Sequence, residues 1–326
     1  IRDNISLGRP VDDAALAGAV ALAGLEAFLA TLPGGIETLL RHGYKELEIP
    51  AGPDGSYQLR PDALHIWPRG GFMLIALPNP GGDFTLTLFL PNDGETSFES
   101  LEDAAAVERF FEEQFPDAAA LIPDLAEDFL QRPIGILGTV RCRHWHERGN
   151  VLLVGDAAHA IVPFHGQGMN LAFEDCVLLS KIVRQRGPDW ATVFALYESE
   201  QLANANAIAD MALDNYIEMR DTVRDPKFAL RKALSFELER RIPGYFIPRY
   251  SMVMFHADIS YLTAQKRGEV QNALLEEFTE HAANLDEVDI DAAIAAAVER
   301  LEHGVGAVRR GTFQVLGFEF LVVDVV

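Results

Sequence analysis

Hydrophobic and polar positions follow different periods in different parts of the chain. Residues 11–32 alternate small and large apolar side chains behind two aspartates and end at a Pro-Gly-Gly turn, which predicts a helix. Residues 43–91 instead contain short apolar runs separated by turn sequences rich in proline and glycine, which predicts an antiparallel sheet. The predicted strands are residues 44–49, 57–59, 63–67, 72–77 and 84–90.

Helical spacing dominates the remainder of the chain. Residues 101–115 place apolar side chains along one stripe and predict a helix, and residues 118–131 predict a second one. Strands are predicted at residues 134–145 and 151–154. The second of these is wholly apolar, so we expect it to be buried on both faces. Further helices are predicted at residues 168–185, 191–222, 226–241, 266–283 and 288–301.

The composition is that of a globular chain with a strong negative charge. Of its 326 residues, 49% are apolar and 23% are charged, which allows a large core and two domains and excludes wholesale disorder. A formal charge of −22 repels phosphate groups, so we expect no nucleic-acid partner. Only two cysteines are present, and Glu26 interrupts the apolar run at residues 14–32. We therefore expect a cytoplasmic protein without a membrane span, and the oligomeric state stays open.

The segment from Val151 to Asn170 holds the most informative chemistry. It reads Val-Leu-Leu-Val-Gly-Asp-Ala-Ala-His-Ala-Ile-Val-Pro-Phe-His-Gly-Gln-Gly-Met-Asn, a strand that ends in Gly-Asp and continues through a loop into a helix. Glycine permits close backbone approach, Asp156 offers two acceptor oxygens, and a helix start exposes N–H groups. An ordinary strand-turn-helix connection explains Gly-Asp alone equally well, but it does not explain the whole string. We therefore interpret the segment as a site for a polar ligand.

This string resembles the second flavin fingerprint of the FAD-dependent aromatic hydroxylases, and the resemblance extends over about residues 40–285. Further matching stretches are residues 42–47, 63–68, 75–79, 109–116, 211–219 and 246–252. The resemblance implies an α/β, flavin hydroxylase-like fold with an antiparallel substrate sheet, a partial FAD-binding domain and a helical C-terminal region. The implied division is an unassigned helical segment (1–42), the substrate sheet (43–140), the C-terminal part of the FAD-binding domain (141–186), the helical region (187–285) and an unassigned tail (286–326).

The activity that the resemblance implies is FAD-dependent hydroxylation of an aromatic ring. In such enzymes NADPH reduces FAD, O2 then forms a C4a-hydroperoxyflavin, and the distal oxygen is transferred to the ring. The matching stretches are most similar to members that convert L-kynurenine to 3-hydroxykynurenine. By position, the implied FAD-binding residues are Gly155, Asp156, Pro163, Gly166, Gln167, Gly168, Met169 and Asn170.

The resemblance also implies a small-molecule site for an aromatic amino acid. Its implied residues are Leu64, Ile66, Met73, Ile75, Phe89, Phe164, His165, Asn215, Met219 and Tyr250. Leu64 and Ile66 are two apart, as are Met73 and Ile75, so each pair shares a strand face. Composition alone would make these residues ordinary core, and the alternative for Asn215 is an interhelix hydrogen bond instead of a contact to a carboxylate. No catalytic side chain is assigned.

The sequence shows no metal-ligand set and lacks two recognisable motifs of the family. His144 and His146 share a strand face but lack a third ligand, so we expect surface or cofactor-edge residues and no metal. The Gly-x-Gly-x-x-Gly turn and the substrate-carboxylate arginine of the family are not recognised in this chain. Two alternatives therefore stay open. One is a related hydroxylase of another anthranilate-like ring, and the other is a non-catalytic flavin-fold remnant that binds an aromatic amino acid or a protein partner.

Overall fold

The computed structural model describes residues 37–147 and 149–305. The predicted helix at residues 11–32 and the tail beyond residue 305 lie outside the described residues. The chain divides into two compact units that each combine distant segments. Among the described residues, the first unit comprises residues 37–39 with 138–213, and the second comprises residues 40–137 with 214–305.

A five-stranded sheet is the main element of the second unit. Its strands are β1 (Glu37–Ile49), β2 (His65–Pro68), β3 (Met73–Pro78), β4 (Phe84–Pro91) and β5 (Gly135–Val140). The spatial order is β2-β3-β4-β1-β5, and the pairs β2–β3, β3–β4 and β1–β4 are antiparallel. The antiparallel sheet expected from the alternating pattern is therefore confirmed.

One face of this sheet is covered by three helices, α1 (Ala104–Gln114), α2 (Pro116–Ala119) and α3 (Leu125–Gln131). Asp103 caps α1, because its side chain accepts a hydrogen bond from the backbone N–H of Ala106 at 2.8 Å. The buried core on this face includes Leu47, Ile49, Trp67, Leu74, Leu86, Leu88, Val107, Phe111, Phe115 and Phe129. Alternate strand residues supply this core, so the intervening residues point to the opposite face.

Two elements of the second unit differ from the sequence prediction. Residues 57–59 form no strand, because the preceding segment turns back on itself with the N–H of Gly55 donating to the carbonyl of Gly52 at 2.8 Å. Tyr57 packs edge-on against Phe84 instead of joining the sheet. The predicted helix at 118–131 is divided into α2 and α3, because Pro123 lacks the N–H and the space that a continuous helix requires.

The first unit contains two short strands followed by helices. Strands β6 (His146–Glu147) and β7 (Val151–Leu152) form an antiparallel pair, and the helices are α4 (Asp156–His159), α5 (Gly168–Arg186) and α6 (Trp190–Arg220). The expected strand at 134–145 ends at Val140, and β7 is half-buried instead of buried on both faces. Among the described residues, the only strand that pairs with β7 is β6.

The helical C-terminal region belongs to the second unit. It contains α7 (Pro226–Arg241), α8 (Arg249–Phe255), α9 (Tyr261–Thr279) and α10 (Ile290–Val305). Its core includes Leu230, Leu234, Leu238, Phe246, Leu274, Ala293, Ala297 and Leu301. Helix α8 was not predicted, since its seven residues are too few to show a clear helical period. Among the described helices, none is both long and apolar enough to span a bilayer.

Candidate functional site

The Gly155–Asp156 turn places a carboxylate at the surface of the first unit. Gly155 has φ 62° and ψ −142°, a conformation that a residue with a Cβ adopts only under strain. Asp156 follows as the first residue of α4 and is exposed to solvent. Within the described part of the chain, no hydrogen bond or ion pair involves its carboxylate. Both of its oxygens can therefore accept hydrogen bonds from a ligand.

The loop after α4 leads into the start of α5. Gly166 has φ 63°, and a Cβ there would meet nothing within 4 Å, so the backbone conformation alone calls for glycine. Helix α5 begins at Gly168, and the Gln167 side chain makes no capping hydrogen bond to it. Instead, Gln167 is buried and its amide oxygen accepts a hydrogen bond from Asn170 at 3.0 Å. The first N–H groups of α5 and its positive dipole end therefore suit an electron-rich ligand oxygen.

A buried polar cluster lies behind the Gly155–Asp156 turn, and we define it as Asp175, His159, Gln201 and Tyr197. The Asp175 carboxylate is 0% exposed. It accepts hydrogen bonds from His159 Nε2 at 2.7 Å, from the N–H of Gly155 at 2.9 Å and from Gln201 Nε2 at 3.0 Å. Burial raises the pKa of Asp175, but the hydrogen bond and charge of His159, with the Gly155 and Gln201 contacts, outweigh it and lower that pKa.

The sequence interpretation did not find this cluster. The available signal was a charged residue on an otherwise apolar stripe, because the residues of α5 that are buried with Asp175 are Leu171 and Ile182. An aspartate at such a position needs buried donors. Those donors are distant along the chain, and the sequence does not show which residues they are.

The sheet face opposite the helix-covered core holds the implied ring-binding residues of the second unit. Ile66 pairs with Ile75, and Met73 pairs with Phe89, in the register of neighbouring strands. Ile66, Met73 and Phe89 are buried, whereas Ile75 and Leu64 are partly buried. The shared face expected from the two-residue spacing is therefore present for Ile66, Met73, Ile75 and Phe89. Their contact with a substrate stays a prediction.

The C-terminal end of α6 is bonded to this sheet within the second unit. Tyr216 packs against Phe89, with ring centroids 6.2 Å apart. The carboxylate of Asp221 accepts a hydrogen bond from the N–H of Gly71 at 2.7 Å, in the turn between β2 and β3. Arg220 forms an ion pair with Asp221 at 2.6 Å. The Asp221 carboxylate, itself paired with Arg220, thus joins the end of α6 to the turn between β2 and β3. The sequence interpretation did not identify this connection.

The remaining substrate residues are divided between the two units. Asn215 is 8% exposed on α6, and its Nδ2 lies 3.4 Å from Sδ of Met219, a weak acceptor one turn away. Burial raises the pKa of Tyr250 in α8 to about 12, so its phenol stays protonated at neutral pH. These three residues belong to the second unit. Phe164 and His165, both buried, lie in the first unit next to Gly166.

His144 and His146 lie near one carboxylate. Their ring nitrogens are 3.8 and 4.0 Å from the Glu198 carboxylate, which also accepts a hydrogen bond from the backbone N–H of Trp145 at 2.5 Å. His144 is exposed and His146 is partly buried. Across residues 37–147 and 149–305, no group of three or more His, Cys, Asp or Glu side chains could hold a metal ion.

Comparison with solved structures gives only weak overlap. A 2-methyl-3-hydroxypyridine-5-carboxylic acid oxygenase matches with a TM-score of 0.46 and 20% identity, over 56% of this chain and 48% of its own. A Pseudomonas aeruginosa protein, PqsL, matches with a TM-score of 0.44 and 18% identity, over 57% of this chain and 50% of its own.

Comparison with curated sequences gives a much stronger result. The chain is 51% identical to kynurenine 3-monooxygenase of Myxococcus xanthus (strain DK1622), over 82% of this chain and 57% of that protein. It is 49% identical to the protein of the same name from Stenotrophomonas maltophilia (strain K279a), over 81% of this chain and 58% of that protein. The chain thus spans somewhat more than half the length of these curated relatives. It is homologous to bacterial proteins named kynurenine 3-monooxygenase, and its residues 117–212 match the family described as FAD binding domain.

Proposed function

We propose that this chain serves the FAD-dependent hydroxylation of L-kynurenine to 3-hydroxykynurenine, with NADPH as the source of electrons. The observation that supports this most directly is the exposed carboxylate of Asp156 on the Gly155 turn, which has no protein partner among the described residues and lies inside the segment that matches an FAD-binding family. The names of the curated relatives supply the substrate and the reaction type.

The residues of the first unit fit the polar parts of a flavin. Asp156 would accept hydrogen bonds from the ribityl hydroxyls, because among the described residues its carboxylate has no other partner. The N–H groups at the start of α5 would donate to the N1 and C2-carbonyl edge of the flavin, where the positive helix end stabilises negative charge. Bound FAD supplies hydride acceptance from NADPH, oxygen activation and oxygen transfer to the ring.

The residues of the second unit fit an aromatic amino acid. The sheet face of Ile66, Met73, Ile75 and Phe89 would cover the aromatic ring and exclude water from it. The Asn215 amide would donate a hydrogen bond to the substrate carboxylate. Tyr250 would stay a hydrogen-bond donor throughout the neutral pH range, since burial raises its pKa to about 12.

The test is flavin retention followed by turnover with a panel of substrates. Purified protein should retain added FAD after desalting, and L-kynurenine should stimulate NADPH oxidation more than other anthranilate-like rings do. Protein that retains no flavin would contradict the proposal. Protein that retains flavin but responds best to another ring would support the related hydroxylase. L-Kynurenine binding without flavin retention would instead support the non-catalytic alternative.

A further inference from the structure

The Asp175 carboxylate contacts both ends of the short segment that contains Asp156. One of its oxygens, Oδ2, accepts a hydrogen bond from the N–H of Gly155 and another from the ring of His159. The carbonyl of Gly155 also accepts from the N–H groups of Ala158 and His159, at 2.8 and 3.0 Å. The segment from Gly155 to His159 is therefore closed on itself and attached at both ends to a single buried oxygen.

We propose that Asp175 and His159 are positioning residues that hold the Gly155 turn so that Asp156 faces the hydroxyls of a bound flavin. The inference rests on the proposed function, because it concerns how this chain binds FAD. Asp175 itself is fully buried and does not reach a ligand. It acts through the N–H of Gly155, because glycine has many accessible backbone conformations and a fixed acceptor selects this one.

The orientation of His159 is determined by its neighbours. Its ring packs on Trp145 at 5.0 Å between centroids, and Trp145 packs on Tyr197 at 5.5 Å. The indole N–H of Trp145 donates to the carbonyl of Cys142 at 3.0 Å, which holds the indole in place. Because a carboxylate only accepts, Nε2 is the nitrogen of His159 that donates to Asp175.

A role in stability alone does not account for this arrangement. A buried carboxylate carries a large desolvation cost, and an apolar residue would cover the same stripe of α5, as Leu171 and Ile182 do. The carboxylate also accepts hydrogen bonds from three separate places, namely the turn, α4 and α6. Such a network specifies one backbone conformation, and the backbone that it specifies is the one preceding Asp156.

The main test is Asp175→Asn, measured by flavin-fluorescence titration for the FAD Kd and by thermal unfolding of the apoprotein. Asparagine keeps the size of the side chain but directs an N–H group at one of the three donors. We expect the FAD Kd to rise by about tenfold or more. The apoprotein unfolding temperature should fall as well, because one buried donor loses its acceptor, and it is recorded to show that the variant is folded at the temperature of the titration. The matched control is Glu200→Gln, an exposed neighbour of Gln201, and it should leave the Kd unchanged.

A compensating substitution separates positioning from general damage. In Asp175→Asn/Gln201→Glu, the new carboxylate accepts from the asparagine amide, whose oxygen can again face Gly155 and His159. This double variant should recover most of the lost FAD affinity. A wild-type Kd in Asp175→Asn, or a folded double variant without recovery, would overturn the inference. If wild-type protein does not bind FAD, the proposed function fails as well, so the two failures can be distinguished.

If Asp175→Asn does not fold, two substitutions of His159 test whether its hydrogen bond to Asp175 positions the Gly155 turn. His159→Gln keeps an N–H donor at about the position of Nε2, whereas His159→Phe keeps a ring but removes the donor. We expect the FAD Kd to stay within about threefold in the first variant and to rise about tenfold in the second. Equal Kd values in the two variants would show that the hydrogen bond to Asp175 does not position the turn.

Discussion

Two aspartates of the first unit, Asp156 and Asp175, differ in solvent exposure and in the hydrogen bonds that their carboxylates accept. Asp156 is exposed and, among the described residues, has no protein partner, whereas Asp175 is buried and accepts three hydrogen bonds. The sequence singles out Asp156 as a candidate ligand-binding residue, because Gly155 and the following loop belong to one continuous string, and this role stays a prediction. It could not predict the role of Asp175, because Gly155 and Gln201 approach it only in the folded chain.

At Asp156, alanine substitution should abolish FAD retention and leave the fold intact. The side chain stabilises no contact among the described residues, so its removal costs ligand binding and not stability. The flavin-to-protein ratio after desalting and the thermal unfolding temperature should be measured side by side. Glu200→Ala is a matched control, since it removes another exposed carboxylate of the same unit. Unchanged flavin content in Asp156→Ala would remove this residue from the site.

At Asn215, the functional and structural interpretations predict opposite results. If the amide holds a substrate carboxylate, Asn215→Ala should raise the KM for L-kynurenine and leave the unfolding temperature almost unchanged. If it instead joins two helices, the same substitution should cost about 1 to 3 kcal/mol of stability. The contact from Asn215 Nδ2 to Met219 Sδ lies within α6, so it does not itself join two helices. A lower unfolding temperature with an unaltered KM would assign Asn215 to the scaffold.

At the scale of elements, periodicity and turn residues located the main strands of the sheet but also predicted a strand at residues 57–59 that does not form. Alternation identified β1 to β4, because each has one face on the helix-covered core. Breaks that depend on one residue, such as Pro123 between α2 and α3, were missed because the apolar stripe continues past them. The junction between the end of α6 and the β2–β3 turn was also missed, since the local pattern of neither element requires it.

That junction predicts a pH-dependent contribution to stability. Burial raises the pKa of Asp221, but the Arg220 and Gly71 contacts outweigh it and lower that pKa below the usual 3.8. A lowered folded-state pKa stabilises the fold above the unfolded-state value, and this contribution is lost as the pH falls through the folded value. Asp221→Asn should therefore cost about 1 kcal/mol at pH 7, and the difference from wild type should shrink below about pH 4. Urea unfolding of wild type and variant at pH 7 and below about pH 4 measures the free energies of unfolding. A difference between the two proteins that stays constant with pH would contradict the prediction.

At the scale of the whole molecule, the two compact units are not continuous along the chain. The second unit joins the sheet segment Leu40–Leu137 to a segment that begins at Asp214, and the intervening residues Gly138–Leu213 belong to the first unit. Periodicity describes neighbours along the chain, so it predicts domains as consecutive stretches. It contains no information on which distant helix packs beside which sheet, as Tyr216 does beside Phe89.

The central claim is that the chain supports FAD-dependent hydroxylation of L-kynurenine, and isotopic labelling tests it most directly. Protein supplied with FAD, NADPH and L-kynurenine under isotopically labelled O2 should form 3-hydroxykynurenine with one labelled oxygen, detected by mass spectrometry. The same reaction with Asp156→Ala should form almost none, because that variant does not retain FAD. Formation of no 3-hydroxykynurenine by flavin-loaded wild-type protein, or product whose new oxygen comes from water, would contradict the account.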